Sequence, residues 1–369
     1  MTLRNASLLL VGAAMALLTA CQGSGAQPAG GTQPSGGAQP AAGSSGPSVA
    51  DFYAGKTITI IVGYAPGGGY DTTARVLSKH LGSHIPGNPN VVVENMDGAG
   101  SLLAANHLYN VDKPDGLTLG AFNELQIVNQ VTGMDGVQFD ARKFSWIGSA
   151  QQTTWSCIVR ADSPYKTGQD FTRKDLPPLI LGGTAPGAST DDFPKLLNAL
   201  AGANIKLVSG YTGSNTIKLA VDSHEVDGLC FDFESLPIVG NDWLQNKSVN
   251  VPLYESRDGK SDAILKQFPN AVSAEDLISD PTSKQLLRAA TAPTAMSKPL
   301  AAPPGVPADR LQALRDAYTA TLNDPAFQAD ATTARLTIVP HTGQQVEQTV
   351  SDVLSLDPAM GKRLADIRA

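Results

Sequence analysis

Four short loops concentrate the residues able to do chemistry: APGGGYD at 65–71, DGAGS at 97–101, APGAST at 185–190 and TGSN at 212–215. Each follows a β-branched or apolar run and precedes a stretch with helical spacing. A loop in that position presents the free N–H groups and positive dipole end of a helix, which favour an anion. The same glycines also serve as plain turn residues. Two such loops in each half of the chain point further, to two lobes that face each other across a ligand cleft.

The candidate ligand contacts follow from these loops. The first supplies Tyr64, Ala65, Pro66, Gly67, Gly68, Gly69, Tyr70 and Asp71, and the second Gly98, Ala99, Gly100 and Ser101. The third supplies Thr184, Gly187, Ser189, Thr190 and Asp191, and the fourth Tyr211 and Ser214. Asn123, Gln152 and Asp232 complete the set. Asp71 reads either as an acceptor for a ligand amino or hydroxyl group or as the cap of the following helix. Arg75 reads as a support for the loop. Tyr64, Tyr70, Phe122, Trp155 and Tyr211 fall near strand ends or loops. Lining the cleft, they would suit a flat or aromatic carboxylate; the competing reading is core packing.

Catalytic patterns are sparse. The chain lacks a GxSxG elbow, an HExxH pair and an S-x-x-K in a nucleophile setting. The loop APGGG has neither the Lys-Ser/Thr of a phosphate loop nor the spacing of GxGxxG. His80 and His84 are four apart with no third ligand in view, so no metal and no cofactor is expected. Cys157 and Cys230 lie in the apolar runs SCIV and GLCF. Two small buried side chains is the favoured reading, with a disulfide the alternative in an oxidising compartment.

The elements that carry the loops read as an α/β fold with a mostly parallel sheet. KTITIIVGY, NVVVEN, GLTLGAF, SCIVRA, PLILGGT, NIKLVSGY and EVDGLCFDF are strands. The helix after the first loop buries Ala74, Leu77 and Leu81. The helix after the third buries Phe193, Leu196, Leu197 and Leu200, with Asp191 and Asp192 in its first turn and Gly202 at its end. A late helix over PADRLQALRDAYTATLNDP sets Leu311, Leu314, Tyr318 and Leu322 on one side. The 369 residues suit two lobes, and the net charge of -7 argues against nucleic acid.

The N-terminus reads as an address. Arg4 precedes the apolar run SLLLVGAAMALL, too short for a confident membrane span, and Leu18-Thr19-Ala20-Cys21 closes it. That tetrapeptide resembles the lipobox of bacterial lipoproteins, which implies cleavage before Cys21 and its lipidation. Residues 22–50 are Gly, Ser, Pro, Ala, Gln and Thr with almost nothing else, and no charged residue occurs between Arg4 and Asp51. Such a stretch is expected to be a tether reaching about 30 Å root-mean-square.

YAPGGGYDTTAR followed by VVVENMDGAGS resembles the opening of the Bug family, the solute receptors of tripartite tricarboxylate transporters. Pro66, Gly67, Gly68, Asp71, Ala74 and Arg75 match its P-G-G-x-x-D-x-x-A-R pattern. Glu94, Asn95, Gly98, Ala99 and Gly100 match its E-N-x-x-G-A-G loop. SGYTGSNTIKLAVDSHEVDGLCFD and PPGVPADRLQALRDAYTATLNDPAF resemble its later segments. The resemblance implies a type II periplasmic-binding-protein fold: two α/β lobes, a central cleft and two crossovers. It also implies a small carboxylate ligand (di- or tricarboxylate, or aromatic), held by backbone N–H groups. The third loop departs from the family's G-x-G-T/S-then-His pattern, since Ser189 replaces the second glycine and no histidine follows.

The expected organisation is a signal peptide at 1–20 and a lipidated tether at 21–50. Lobe I is expected at 51–152 and 252–345, lobe II at 153–251, and a C-terminal helical segment at 346–369. The expected function is a monomeric, lipid-anchored extracytoplasmic receptor, not an enzyme, that delivers its solute to integral membrane transporter subunits. A receptor for another permease or a sensor kinase is the alternative, with a secreted hydrolase and a purely structural lipoprotein as readings from other classes.

Overall fold

The computed structural model describes residues 48–257 and 259–369. The expected signal peptide, Cys21 and the expected tether up to residue 47 lie outside the described residues. No helix among the described residues is long and apolar enough to cross a membrane.

The first lobe is a six-stranded sheet. The segments Thr57–Val62 (β1), Asn90–Asn95 (β2) and Thr118–Ala121 (β3) are its parallel part, with Thr57 opposite Asn90 and Thr59 opposite Thr118. The strand β1 is flanked on both sides, by β2 and β3, which is why TITIIV is β-branched throughout and largely apolar: Ile58, Ile60, Ile61 and Val62 are all buried. Ser145–Gln151 (β4) extends this sheet at the other side.

Only Gln152, Thr153 and Thr154 separate β4 from Trp155–Arg160 (β5), which begins the second sheet. Leu179–Gly182 (β6), Ile205–Val208 (β7) and Gly228–Asp232 (β8) follow, then Val249–Glu255 (β9) and Val272–Ser273 (β10). The order across this sheet is β10-β9-β5-β8-β6-β7. The chain returns to the first lobe through the turn Ala292–Met296 into Ser297–Ala302 (β11), and His341–Thr342 (β12) closes the first sheet as β12-β4-β11-β3-β1-β2. At the double crossing the Thr153 N–H donates to the Thr294 carbonyl (3.0 Å).

One expectation holds here and one changes. Most strands of each sheet share a direction: β11 and β12 run against the other four of the first sheet, and β5 alone runs against the other five of the second. A strand that arrives from the neighbouring sheet, not through a helical crossover, is not held to the parallel direction. The return crossing, placed at 252 from the sequence, falls instead at Ala292–Met296: β9 pairs with β5, Trp155 opposite Glu255, and stays in the second sheet. The boundary expected at 251/252 falls inside the strand Val249–Glu255, whose composition does not say which sheet it joins.

Helices pack as their periodicity requires. Gly69–His84 buries Ala74, Leu77 and Leu81 against the first sheet and ends before Ile85-Pro86. Ser189–Leu196 continues as a wide turn over Leu197–Ala201 and stops at Gly202, whose φ of 67° is left-handed. The side chains of Cys157 and Cys230, directly opposed between β5 and β8, are bonded to each other. The favoured reading of two separate thiols therefore gives way to its alternative.

The chain ends in the helices Gly343–Leu354 and Pro358–Arg368. Arg368 is buried and reaches both lobes. It donates to Asp192 of the Ser189–Leu196 helix (2.6 Å), to Thr132 (2.9 Å) and to Asn129 of the Gln126–Val131 helix.

Candidate functional site

Between the lobes lies a narrow cavity of about 40 Å³. The first lobe lines it with Tyr64, Ala65, Gly68, Gly69, Tyr70 and Asn123. The second contributes Thr184, Ser189, Thr190, Gly213, Ser214, Phe231, Asp232 and Ser235. Three helix N-termini converge on it, those of Gly69–His84, Ser189–Leu196 and Ser214–Asp222. They give a carboxylate a field of partial positive charge without a basic side chain.

The first loop is shaped by Asp71. Its carboxylate accepts from the Gly67 N–H (2.9 Å), from Arg75 Nε (2.9 Å) and from Asn95 Nδ2 (2.9 Å). Burial works to raise its pKa, but these bonds outweigh burial and hold it below the usual carboxylate range. Asp71 thus spends its acceptors on its own loop, and Arg75 supports it. Gly67 takes a left-handed φ of 89°, which lets the chain turn into the helix. The third loop repeats the device: Gly187 is left-handed at 86° and its N–H donates to Asp192 (3.0 Å).

The second loop does not reach the lining. Gly98, Ala99, Gly100 and Ser101 all carry positive φ. Ser101 Oγ accepts from the Asn123 N–H (3.0 Å), and a Cβ on Gly100 would stand 3.1 Å from that of Ala188 in the opposite lobe. Its place is in bracing Asn123 and meeting the third loop. The lobes also touch where Asn215 Nδ2 donates to the Pro66 carbonyl (2.7 Å).

Eleven of the candidate contacts line the cavity, among them Tyr64, Tyr70, Asn123 and Asp232. Pro66, Gly67, Asp71, Gly187 and Asp191 lie just behind it, Gln152 sits at the first crossing, and Tyr211 turns away to donate to Glu225 (2.6 Å). Of the aromatic candidates, Tyr64 and Tyr70 form a tilted pair in the lining, ring centroids 4.9 Å apart. Phe122 and Trp155 are buried in the core. His80 and His84 pair with Asp330 (3.1 Å) and Asp324 (2.9 Å), and no cluster of metal-ligating residues occurs among the described residues.

Sequence reasoning passed over Gly213, Phe231, Ser235, Glu124 and Lys298. The last two are both buried. Tyr70 donates its hydroxyl to Glu124, and Lys298 Nζ pairs with Asp232 (3.2 Å) across the lobes while lying 5.3 Å from the Tyr70 ring. Burial, with Asp232 nearby, pushes the Glu124 carboxyl up to about 7. Burial also raises Tyr64 and Tyr70. Glu124 follows Asn123 directly, which is a signal of sorts. Lys298 in SKPLAA reads as a surface lysine.

No family model matches the chain. It is 27% identical over 184 residues to a UPF0065 protein of the TAR-I ttuE-ttuC' intergenic region of Agrobacterium vitis. That match covers 49% of this chain and 52% of the relative, so the chain spans about half the length of that relative. Its fold is that of MatC from Rhodopseudomonas palustris, solved with bound malate: TM-score 0.65, 18% identity, 85% of this chain and 99% of that one. The periplasmic binding protein BugD gives a TM-score of 0.66 at 18% identity, with 85% and 97% covered. In fold, the chain is similar to both of these proteins over 85% of its length.

Proposed function

We propose that this protein is an extracytoplasmic solute receptor that binds a small carboxylate between its lobes and passes it to an integral membrane transporter. The observation that carries this reading is the cavity lined from both lobes, on which three helix N-termini converge. A solute touching both walls stabilises the closed arrangement, the state a transporter recognises. Binding through N–H groups and dipoles orients the carboxylate without the deep trap of a buried ion pair. The relationship to MatC and BugD supports the same reading. Lipidation at Cys21 would hold the receptor at the membrane surface. Hydrolysis has less to rest on, since the lining offers hydroxyls at Ser189, Ser214 and Ser235 but no histidine to activate them.

A thermal-shift screen of mono-, di- and tricarboxylates, with sugars and amines as controls, tests the proposal. A carboxylate at a hundred times its Kd adds about 2.7 kcal/mol of stability. Gly68→Trp abolishes that shift, because a Cβ there already stands 3.4 Å from Ser214 Oγ and an indole would fill the cleft. A screen in which only sugars or amines raise the melting temperature would overturn the reading.

A further inference from the structure

Gln126, Asn129, Asp192 and Arg368 are all buried, and none of them lines the cavity. Three of them close a ring on a single residue, Gly187. Its N–H donates to Asp192 Oδ1 (3.0 Å), and its carbonyl accepts from Asn129 Nδ2 (3.3 Å). Arg368 joins the two side chains, donating to Asp192 Oδ2 and to Asn129 Oδ1. A Cβ at Gly187 would stand 2.6 Å from Asn129 Nδ2, so the ring closes only around glycine. The fourth member carries the ring further: Asn129 Nδ2 also donates to Gln126 Oε1 (3.0 Å), and Gln126 Nε2 to the Gly100 carbonyl (2.9 Å).

This network crosses from lobe to lobe. Gly100, Gln126 and Asn129 belong to the first, Gly187 and Asp192 to the second. Arg368 comes from the helix Pro358–Arg368, which packs on the second lobe's helices Ser189–Leu196 and Pro281–Thr291. Lys195 of the former fixes it there, its Nζ donating to the Arg368 carbonyl (2.5 Å). Each end of the network lies one step from the lining. Ser189 and Thr190 sit between Gly187 and Asp192, and Ser101, next to Gly100, accepts from the Asn123 N–H.

We infer that Arg368 is a positioning residue that couples two loops of the cleft: the second loop, on one lobe, and the third, on the other, hold their shape together and loosen together. A guanidinium suits this task, because its planar fork serves several acceptors at once while its charge offsets the buried Asp192. Fully satisfied, such a network specifies one arrangement of the lobes. Removing one member leaves buried groups without partners on both sides of the cleft. The coupling goes beyond the receptor reading and belongs to the protein, whatever solute it takes.

Amide hydrogen exchange of the full chain without added solute, read by mass spectrometry, tests the coupling. Arg368→Ala, and Asn129→Ala on the first lobe, are each expected to speed exchange at least about tenfold in both 97–104 and 184–192. The strands Thr57–Val62 and Gly228–Asp232 are expected to stay protected in both variants. Arg368→Lys keeps a charge beside Asp192 but gives up the fork, and is expected to fall between wild type and Arg368→Ala. Asn129→Ala leaves the pair of Arg368 with Asp192 in place, so it carries the test where Arg368→Ala fails to fold. Faster exchange confined to the variant's own lobe, equal acceleration in the strands, or no acceleration would each overturn the inference. Because no solute is added, that outcome leaves the receptor reading in place, and a failed carboxylate screen leaves the coupling in place.

Discussion

Replacing Cys157 and Cys230 together with alanine lowers the melting temperature by about 6 °C, corresponding to about 4 kcal/mol in the chain-entropy account of a long loop. The bond joins residues 73 apart in sequence, so its loss frees a large part of the second lobe in the unfolded chain. Both residues are fully buried and sit side by side in neighbouring strands at the middle of the second sheet. A reductant therefore reaches the bond only after the sheet opens, and melting in dithiothreitol should match the double variant. Calorimetry of the oxidised, reduced and Cys157→Ala/Cys230→Ala proteins measures this. Agreement of all three within a degree or two would mean that the bond does not form or does not stabilise.

Stability should also fall as pH rises from about 5 to 9, and Glu255→Gln should remove much of that fall. Glu255 is buried, and no hydrogen bond of normal geometry reaches either of its oxygens. Burial, followed by the nearby Glu275, raises its pKa to about 8. Arg288 would lower it, but that guanidinium is committed to Glu275 (2.6 Å). The sign follows from linkage. A carboxyl whose pKa is raised by folding binds more protons in the native state. Its favourable contribution is complete below the unfolded pKa near 4.5 and is lost as pH climbs through the folded value. Glu124, pushed up to about 7, acts in the same direction. For Glu255 alone the loss by pH 9 is on the order of a few kcal/mol. Melting curves of wild type and Glu255→Gln should lie close at pH 5 and separate by roughly 5 °C at pH 9, the variant higher. Parallel curves would place the titrating group elsewhere.

Much of the fold was readable because its signals are local. TITIIV is mostly buried and so β-branched throughout and largely apolar, and Gly202 ends its helix in the conformation glycine takes most easily. The loops of the cleft were legible for a similar reason, since a strand-to-helix turn needs glycine and small hydroxyl residues within a few positions. What local signals do not carry is pairing over distance. β9 looks the same whichever sheet it joins, so the second crossing was placed too early. Cys157 and Cys230 meet only once β5 and β8 are aligned. Lys298 shows the limit most clearly: it sits in a short strand beside a proline, and only the folded chain brings it to Asp232, 66 residues away. The second loop was legible as a motif, yet its task is to brace Asn123 and the opposite lobe.

The grip of Arg368 on both lobes bears on time as well as on affinity. For the lobes to part, its bonds to Asp192 on one side or to Asn129 and Thr132 on the other must break. None of these residues lines the cavity, so this barrier is the same whatever solute is inside. Residence time then has two factors: one set by how the solute fits, the other a constant of the protein. On the receptor reading proposed above, solutes of quite different affinity would share a common upper limit on how fast they escape, and that limit would set the pace at which the protein can be emptied.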